Sequence, residues 1–171
     1  MNFGHVMFSP NGRISQQDYW IGILILIGGN IIASFLPIIG FILWFVLIWV
    51  GIAVYGKRLH DAGKSAWLHV IPWAITILTF IIGLAMIIAA GVTVGLMSDG
   101  GDLSREELLA LISGAGGGVA VMGISTLVWI GYTIWAGVLK SDPGANAHGP
   151  APGGAINPAP AASTGDGPSQ G

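Results

Sequence analysis

Tyr55-Gly56-Lys57-Arg58-Leu59-His60-Asp61-Ala62-Gly63-Lys64-Ser65-Ala66-Trp67 is the densest polar stretch of this chain, and it lies between two long apolar runs. No Asp, Glu, Lys or Arg occurs from Trp20 to Tyr55 before it, nor from Ala66 to Met97 after it. A polar island in that setting reads as a loop at a membrane surface. The composition agrees. Of 171 residues, 53% are hydrophobic and 8% are charged, and the mean hydropathy is +0.78. A soluble domain carries about 25% charged residues. This chain cannot cover its own surface with polar groups, so the lipid bilayer is its natural solvent.

Run lengths divide the membrane part. As a single helix, 20–55 would extend about 54 Å, against a hydrocarbon core of about 30 Å. Two spans fit instead, about 19–36 and 40–56, with the break placed near Pro37-Ile38-Ile39-Gly40 by residues that interrupt helices. Ser15-Gln16-Gln17-Asp18 is a helix start signal. The next run, 66–97, forms a third span. Ser65 caps it, and Pro72 sits where proline is tolerated, near the first turns. The segment 66–72 is expected in the interface.

Ser104-Arg105-Glu106-Glu107 is a capping box, predicting an interfacial helix over about 105–113. Gly114 to Gly118 then predict a break, because each helical glycine costs about 1 kcal/mol relative to alanine. The fourth span is expected over 119–139. Residues 141–171 are rich in Pro, Gly and Ala without apolar periodicity, and read as a disordered tail. The predicted fold is thus all-α, a four-helix transmembrane domain over 1–140 built from two hairpins, without internal repeats.

Charge sets the expected orientation. Arg13, Lys57, Arg58, Lys64 and Lys140 fall on one side, whereas Arg105 stands opposite among Asp99, Asp102, Glu106 and Glu107. Positive charge stays cytoplasmic, so both termini are expected inside a multi-pass plasma-membrane protein. Trp20, Tyr55, Trp67 and Trp135 fall at that same boundary, where aromatic rings suit the headgroup layer. Met1–Tyr19 is too polar for a signal peptide.

Several chemistries lack their residues. The chain has no cysteine and a net charge of −2, which exclude thiolate chemistry and give no reason for nucleic-acid binding. His5, His60, His69 and His148 lack metal-ligand spacing. No Gly-x-Ser-x-Gly or Walker-type motif appears. We therefore assign no catalytic residue, metal or cofactor, and a non-enzymatic protein is the expectation. The spans contain no Asp, Glu, Lys or Arg, which counts against proton-coupled transport. Asn30, Thr76, Thr79, Thr93 and Thr126 are expected to bond between helices. Gly91-x-x-x-Gly95 and Gly114-x-x-x-Gly118 fit small-residue helix contacts, with packing inside the chain favoured and a homo-oligomer contact the alternative.

Arg58, His60 and Asp61 share one helical turn, and Arg13 and Asp18 come from the same face. The candidate cluster is Arg13, Asp18, Trp20, Lys57, Arg58, His60, Asp61, Ser65 and Trp67. Two readings compete. The charges set topology and neutralise one another, through Arg13–Asp61 or Arg58–Asp18. Alternatively, they organise an anionic lipid headgroup or a membrane-protein partner. A small oligomeric channel or transporter is a further class to weigh.

These residues carry a family resemblance. Gly12-Arg13-Ile14-Ser15 with Asp18-Tyr19-Trp20 resembles the N-terminal motif of the DUF805 family of small bacterial inner-membrane proteins. Lys57 to Trp67 is similar to its central motif, R-L-H-D-x-G-x-S-G-W. Asn146, Gly149 and Pro150 are similar to its closing N-x-x-G-P element. The three occur in the family's order over roughly 8–152. Ala66 departs from the usual glycine, Ala147 and His148 from the usual basic-aromatic pair, and the stretch 97–118 is longer than typical. The resemblance implies a membrane architecture and an inner-membrane address. It implies no reaction, since the family has no established activity.

Overall fold

A computed structural model describes residues 3–98 and 102–153. Helices are the regular elements of this part, with no strand among the described residues. A short helix α1, Phe3–Phe8, precedes four long ones: α2 Gln16–Ser34, α3 Pro37–Asp61, α4 Val70–Met97 and α5 Arg105–Val138. A 3₁₀ turn, Ala66–His69, leads into α4. All four long helices are long and apolar enough to cross a membrane.

Local chemistry explains the boundaries. Ser15 Oγ accepts from Asp18 N at 3.1 Å and starts α2. Only Phe35 and Leu36 separate α2 from α3. Pro37 begins α3 rather than breaking a helix, because the first helical position needs no N–H donor. Gly40 is required there, since a side chain would run into the Ala33 carbonyl. At the other polar end Ser104 accepts from Glu107 N at 3.2 Å, while Glu107 accepts from Ser104 N at 2.7 Å, completing the capping box.

Three expectations need correcting. First, α3 does not stop near residue 56. It continues to Asp61, so Lys57 to Asp61 are helical and buried rather than a surface loop, apart from the partly exposed His60. Second, α5 is continuous through Gly114–Gly118. The glycines hold the helix against α4: a methyl group at Gly118 would lie 2.5 Å from the Gly83 carbonyl oxygen, and one at Gly114 would lie 2.5 Å from Ala90 Cβ. Close backbone approach offsets their poor propensity. Gly91 and Gly95, by contrast, have nothing within 4 Å of a Cβ position, so they are not intramolecular contacts. Third, 141–153 is not a free tail. It folds back onto the end of the bundle where α2 begins and α3 ends. The remainder of the expected tail, 154–171, lies outside the described residues.

The two hairpins, α2/α3 and α4/α5, are joined unevenly. α5 packs on both α2 and α3, whereas no Cα of α4 comes within 8 Å of either. The buried core gathers at the end carrying α1: Val6, Met7, Ile14, Tyr19, Val54 and Ala136 belong to it. Away from that end the helices expose Leu, Ile, Phe and Val, as a lipid-facing surface does.

Candidate functional site

Asp61, in the last turn of α3, is fully buried. Arg13 donates from Nε to its Oδ1 at 3.1 Å, and Arg58 donates from Nη1 to its Oδ2 at 2.6 Å. Ser141 Oγ donates to the same Oδ2 at 2.5 Å. One carboxylate thus joins the segment before α2, the end of α3 and the segment after α5. A buried ion pair is tolerable only where remaining donors are satisfied, and here both guanidiniums are.

Arg13 directs Nη1 to the carbonyls of Gly144 at 2.6 Å and Gly149 at 3.4 Å, and Nη2 to those of Asp142 at 2.6 Å and Asp61 at 3.3 Å. It is the post that 141–153 wraps. Arg58 donates to the carbonyls of Ala136 at 3.1 Å, Gly137 at 3.3 Å and Leu139. The last carbonyls of a helix have no intrahelical partner and carry the negative end of its dipole. Arg58 is therefore the cap of α5, supplied from α3.

Lys57 performs the same service for α1. Its Nζ donates to the carbonyls of His5 and Val6, and Trp49 Nε1 donates to that of Phe8 at 3.1 Å. His60 Nδ1 lies 3.2 Å from the Gly12 carbonyl. Its ring stacks on His148, with centroids 3.8 Å apart and planes 4° from parallel. Asn146 Nδ2 donates to the His60 carbonyl at 2.9 Å. Asn146 and Gly149 also exchange backbone bonds of 3.1 and 3.0 Å, and Gly149 takes a positive φ of 122° to close that turn.

The structure brings part of the expected cluster together, and the contacts of those residues are largely within the chain. Arg13, Lys57, Arg58, His60, Asp61, Asn146 and Gly149 converge. Arg58 pairs with Asp61, not with Asp18, whose backbone N–H bonds Ser15. Trp20 packs edge-on to Tyr19 at 5.3 Å and under Gly137, which has no room for a side chain. Ser65 caps the 3₁₀ turn through Trp67 N at 3.3 Å. Trp67 itself is 81% exposed and outside the cluster.

A second network escaped the sequence reading. Tyr19 Oη donates to the Thr133 carbonyl at 2.9 Å, and Tyr55 Oη lies 2.6 Å from Thr133 Oγ1. His69 stacks on Tyr55 at 4.7 Å, with its Nδ1 3.2 Å from Tyr132 Oη. Trp129 Nε1 donates to Thr76 Oγ1 at 2.9 Å. Trp129, Tyr132, Thr133 and Ala136 occupy the i, i+3, i+4, i+7 face of α5, a periodicity that marks a buried stripe. That spacing was the available signal.

Among the described residues no group of three or more His, Asp or Glu is arranged to hold a metal. No buried side-chain nitrogen or oxygen lacks a hydrogen-bond partner there. The arrangement fastens three chain segments together through charge. No curated protein and no solved structure matches the chain. A family model described as "Protein of unknown function (DUF805)" matches residues 7–150. That span runs from α1 through the clamp to the Asn146–Gly149 turn, and on it the chain belongs to the DUF805 family.

Proposed function

We propose that this is a non-enzymatic protein of the bacterial inner membrane, with the clamped end and both termini in the cytoplasm, that gathers anionic lipid at its cytoplasmic rim. The observation that carries the reading is where the cations go. Arg13, Lys57 and Arg58 spend their donors inside the protein. Lys64 and Lys140 remain at the rim, only partly buried and exposed respectively. They flank one junction, where Asp142 N bonds the Asp61 carbonyl at 2.8 Å. Exposed Trp67 stands three residues from Lys64, the amphipathic ring expected at a headgroup layer. Among the described residues five cations and three carboxylates, Asp18, Asp61 and Asp142, lie at this end. Each interfacial Lys contributes about 1 kcal/mol toward anionic lipid.

Nanodiscs of mixed phosphatidylcholine and phosphatidylglycerol test this. Lipid retained by the wild-type protein, read by native mass spectrometry, is expected to be enriched in phosphatidylglycerol, and Lys64→Gln with Lys140→Gln to remove that enrichment. Equal lipid composition in both proteins would overturn the reading. An oligomeric channel is the second reading, supported by the open Gly91 and Gly95 face of α4. Solute flux from proteoliposomes that Gly91→Leu abolishes would favour it instead.

A further inference from the structure

Between the two hairpins lies a cleft of about 700 Å³. Ile23, Leu26, Leu47, Ile48 and Ile130 line its walls. Tyr55, His69, Trp73, Trp129 and Thr133 line its end nearest the clamp, drawn together by the aromatic network described above. No Asp, Glu, Lys or Arg reaches it. Two polar side chains from different hairpins are among its lining, Asn30 on α2 and Thr126 on α5, both exposed at the cleft. Asn30 Nδ2 bonds its own helix at Leu26 O, 2.8 Å away, which leaves Oδ1 without a partner. The Thr126 hydroxyl has no hydrogen bond among the described residues. In hydrocarbon no water makes up the difference, so such groups call for a polar partner.

We infer that this cleft binds one uncharged long-chain lipid whose head carries hydroxyl or carbonyl oxygens, held by Asn30 and Thr126 with its chain along the apolar walls. The size selects this occupant. Ligand pockets run about 300–1,000 Å³. A transmembrane helix, a cylinder about 30 Å long and about 10 Å across, fills about 2,400 Å³ and is far larger than the cleft. The lining selects against charge, since nothing in it neutralises a phosphate or an ammonium. The site is separate from the cationic rim, so either proposal can fail without the other.

The test is native mass spectrometry of the full chain released from phosphatidylcholine–phosphatidylglycerol nanodiscs doped with dioleoylglycerol in one arm and decylubiquinone in the other. Gly51→Leu adds bulk inside the cleft at a position with nothing within 4 Å of its Cβ, and thermal unfolding in detergent is expected to match the wild type. Asn30→Leu with Thr126→Val keeps the shape and removes the polar pair. The wild type is expected to retain one neutral lipid per chain, above its share of the bilayer, in at least one arm. The arm that binds identifies hydroxyl–ester or quinone oxygens as the preferred head. Gly51→Leu is expected to abolish retention, and the polar double variant to lower it about tenfold, the loss of roughly one hydrogen bond. Lys64→Gln with Lys140→Gln is expected to leave it unchanged. No enrichment in either arm, enrichment indifferent to Gly51→Leu, or a second copy of the chain bound instead overturns the inference.

Discussion

His60 and His148 stack face to face, 3.8 Å between ring centroids, and so join the central motif to the segment after the last span. Histidine changes charge between about pH 5 and 8. A charge on the His60 ring would lie directly against the stacked His148 ring, so the stack is expected to contribute stability at neutral pH that is lost on acidification. The Asp142 carboxylate accepts from Asn146 Nδ2 at 3.1 Å rather than bonding either ring. Hydrogen exchange in 141–153 is expected to rise from pH 7.5 to pH 5.5. His148→Phe keeps an aromatic partner and is expected to flatten that response.

Arg58 serves α5 through a planar fork, and a lysine offers one point charge in its place. Arg58→Lys keeps the formal charge beside Asp61 but strands some of the carbonyls of Ala136, Gly137 and Leu139. A loss of about 1.5–3 kcal/mol is expected, measured by denaturant titration in mixed micelles, with exchange increasing at the end of α5.

The glycines of α4 and α5 divide into two kinds. Gly118→Val drives a side chain into the Gly83 carbonyl and is expected to cost about 1–3 kcal/mol as overpacking. Gly91→Leu enters open space within the chain and is expected to stay within about 1 kcal/mol of the wild type. The same unfolding titration compares them.

Residues 141–153 belong to the folded unit, because Arg13 holds the carbonyls of Asp142, Gly144 and Gly149. Truncation after Lys140 removes those three acceptors from Arg13 and the Ser141 hydroxyl from Asp61. It is expected to lower the melting temperature in detergent, whereas truncation after Gly153 is expected to leave it unchanged.

The four membrane helices were legible because apolar run length is a direct readout of bilayer thickness, and three serine caps, Ser15, Ser65 and Ser104, were legible because capping is local chemistry. The Arg13–Asp61 pairing was legible as one of two alternatives. The rest depended on partners distant in sequence. α1 spans only six residues, too few to display a period. The order of 141–153 comes from backbone carbonyls accepting from Arg13, and composition rich in Pro and Gly conceals acceptors common to every residue. Lys57 looked topogenic because nothing nearby in the chain discloses that the end of α1 lies over it. The glycine run read as a break because its compensation, Gly83 and Ala90 on α4, becomes visible only once the two helices are side by side.

The central claim is that the motif charges bind one another and thereby fasten the chain, and a double-mutant cycle on Arg13 and Asp61 tests it most directly. Arg13→Gln, Asp61→Asn and the double variant are unfolded in mixed micelles. Asp61→Asn leaves two buried guanidiniums uncompensated, and breaking such an arrangement costs about 3–5 kcal/mol. The expected result is a double variant less destabilised than the sum of the singles, by about 1–3 kcal/mol of coupling. Additive losses, or single variants as stable as the wild type, would contradict the clamp.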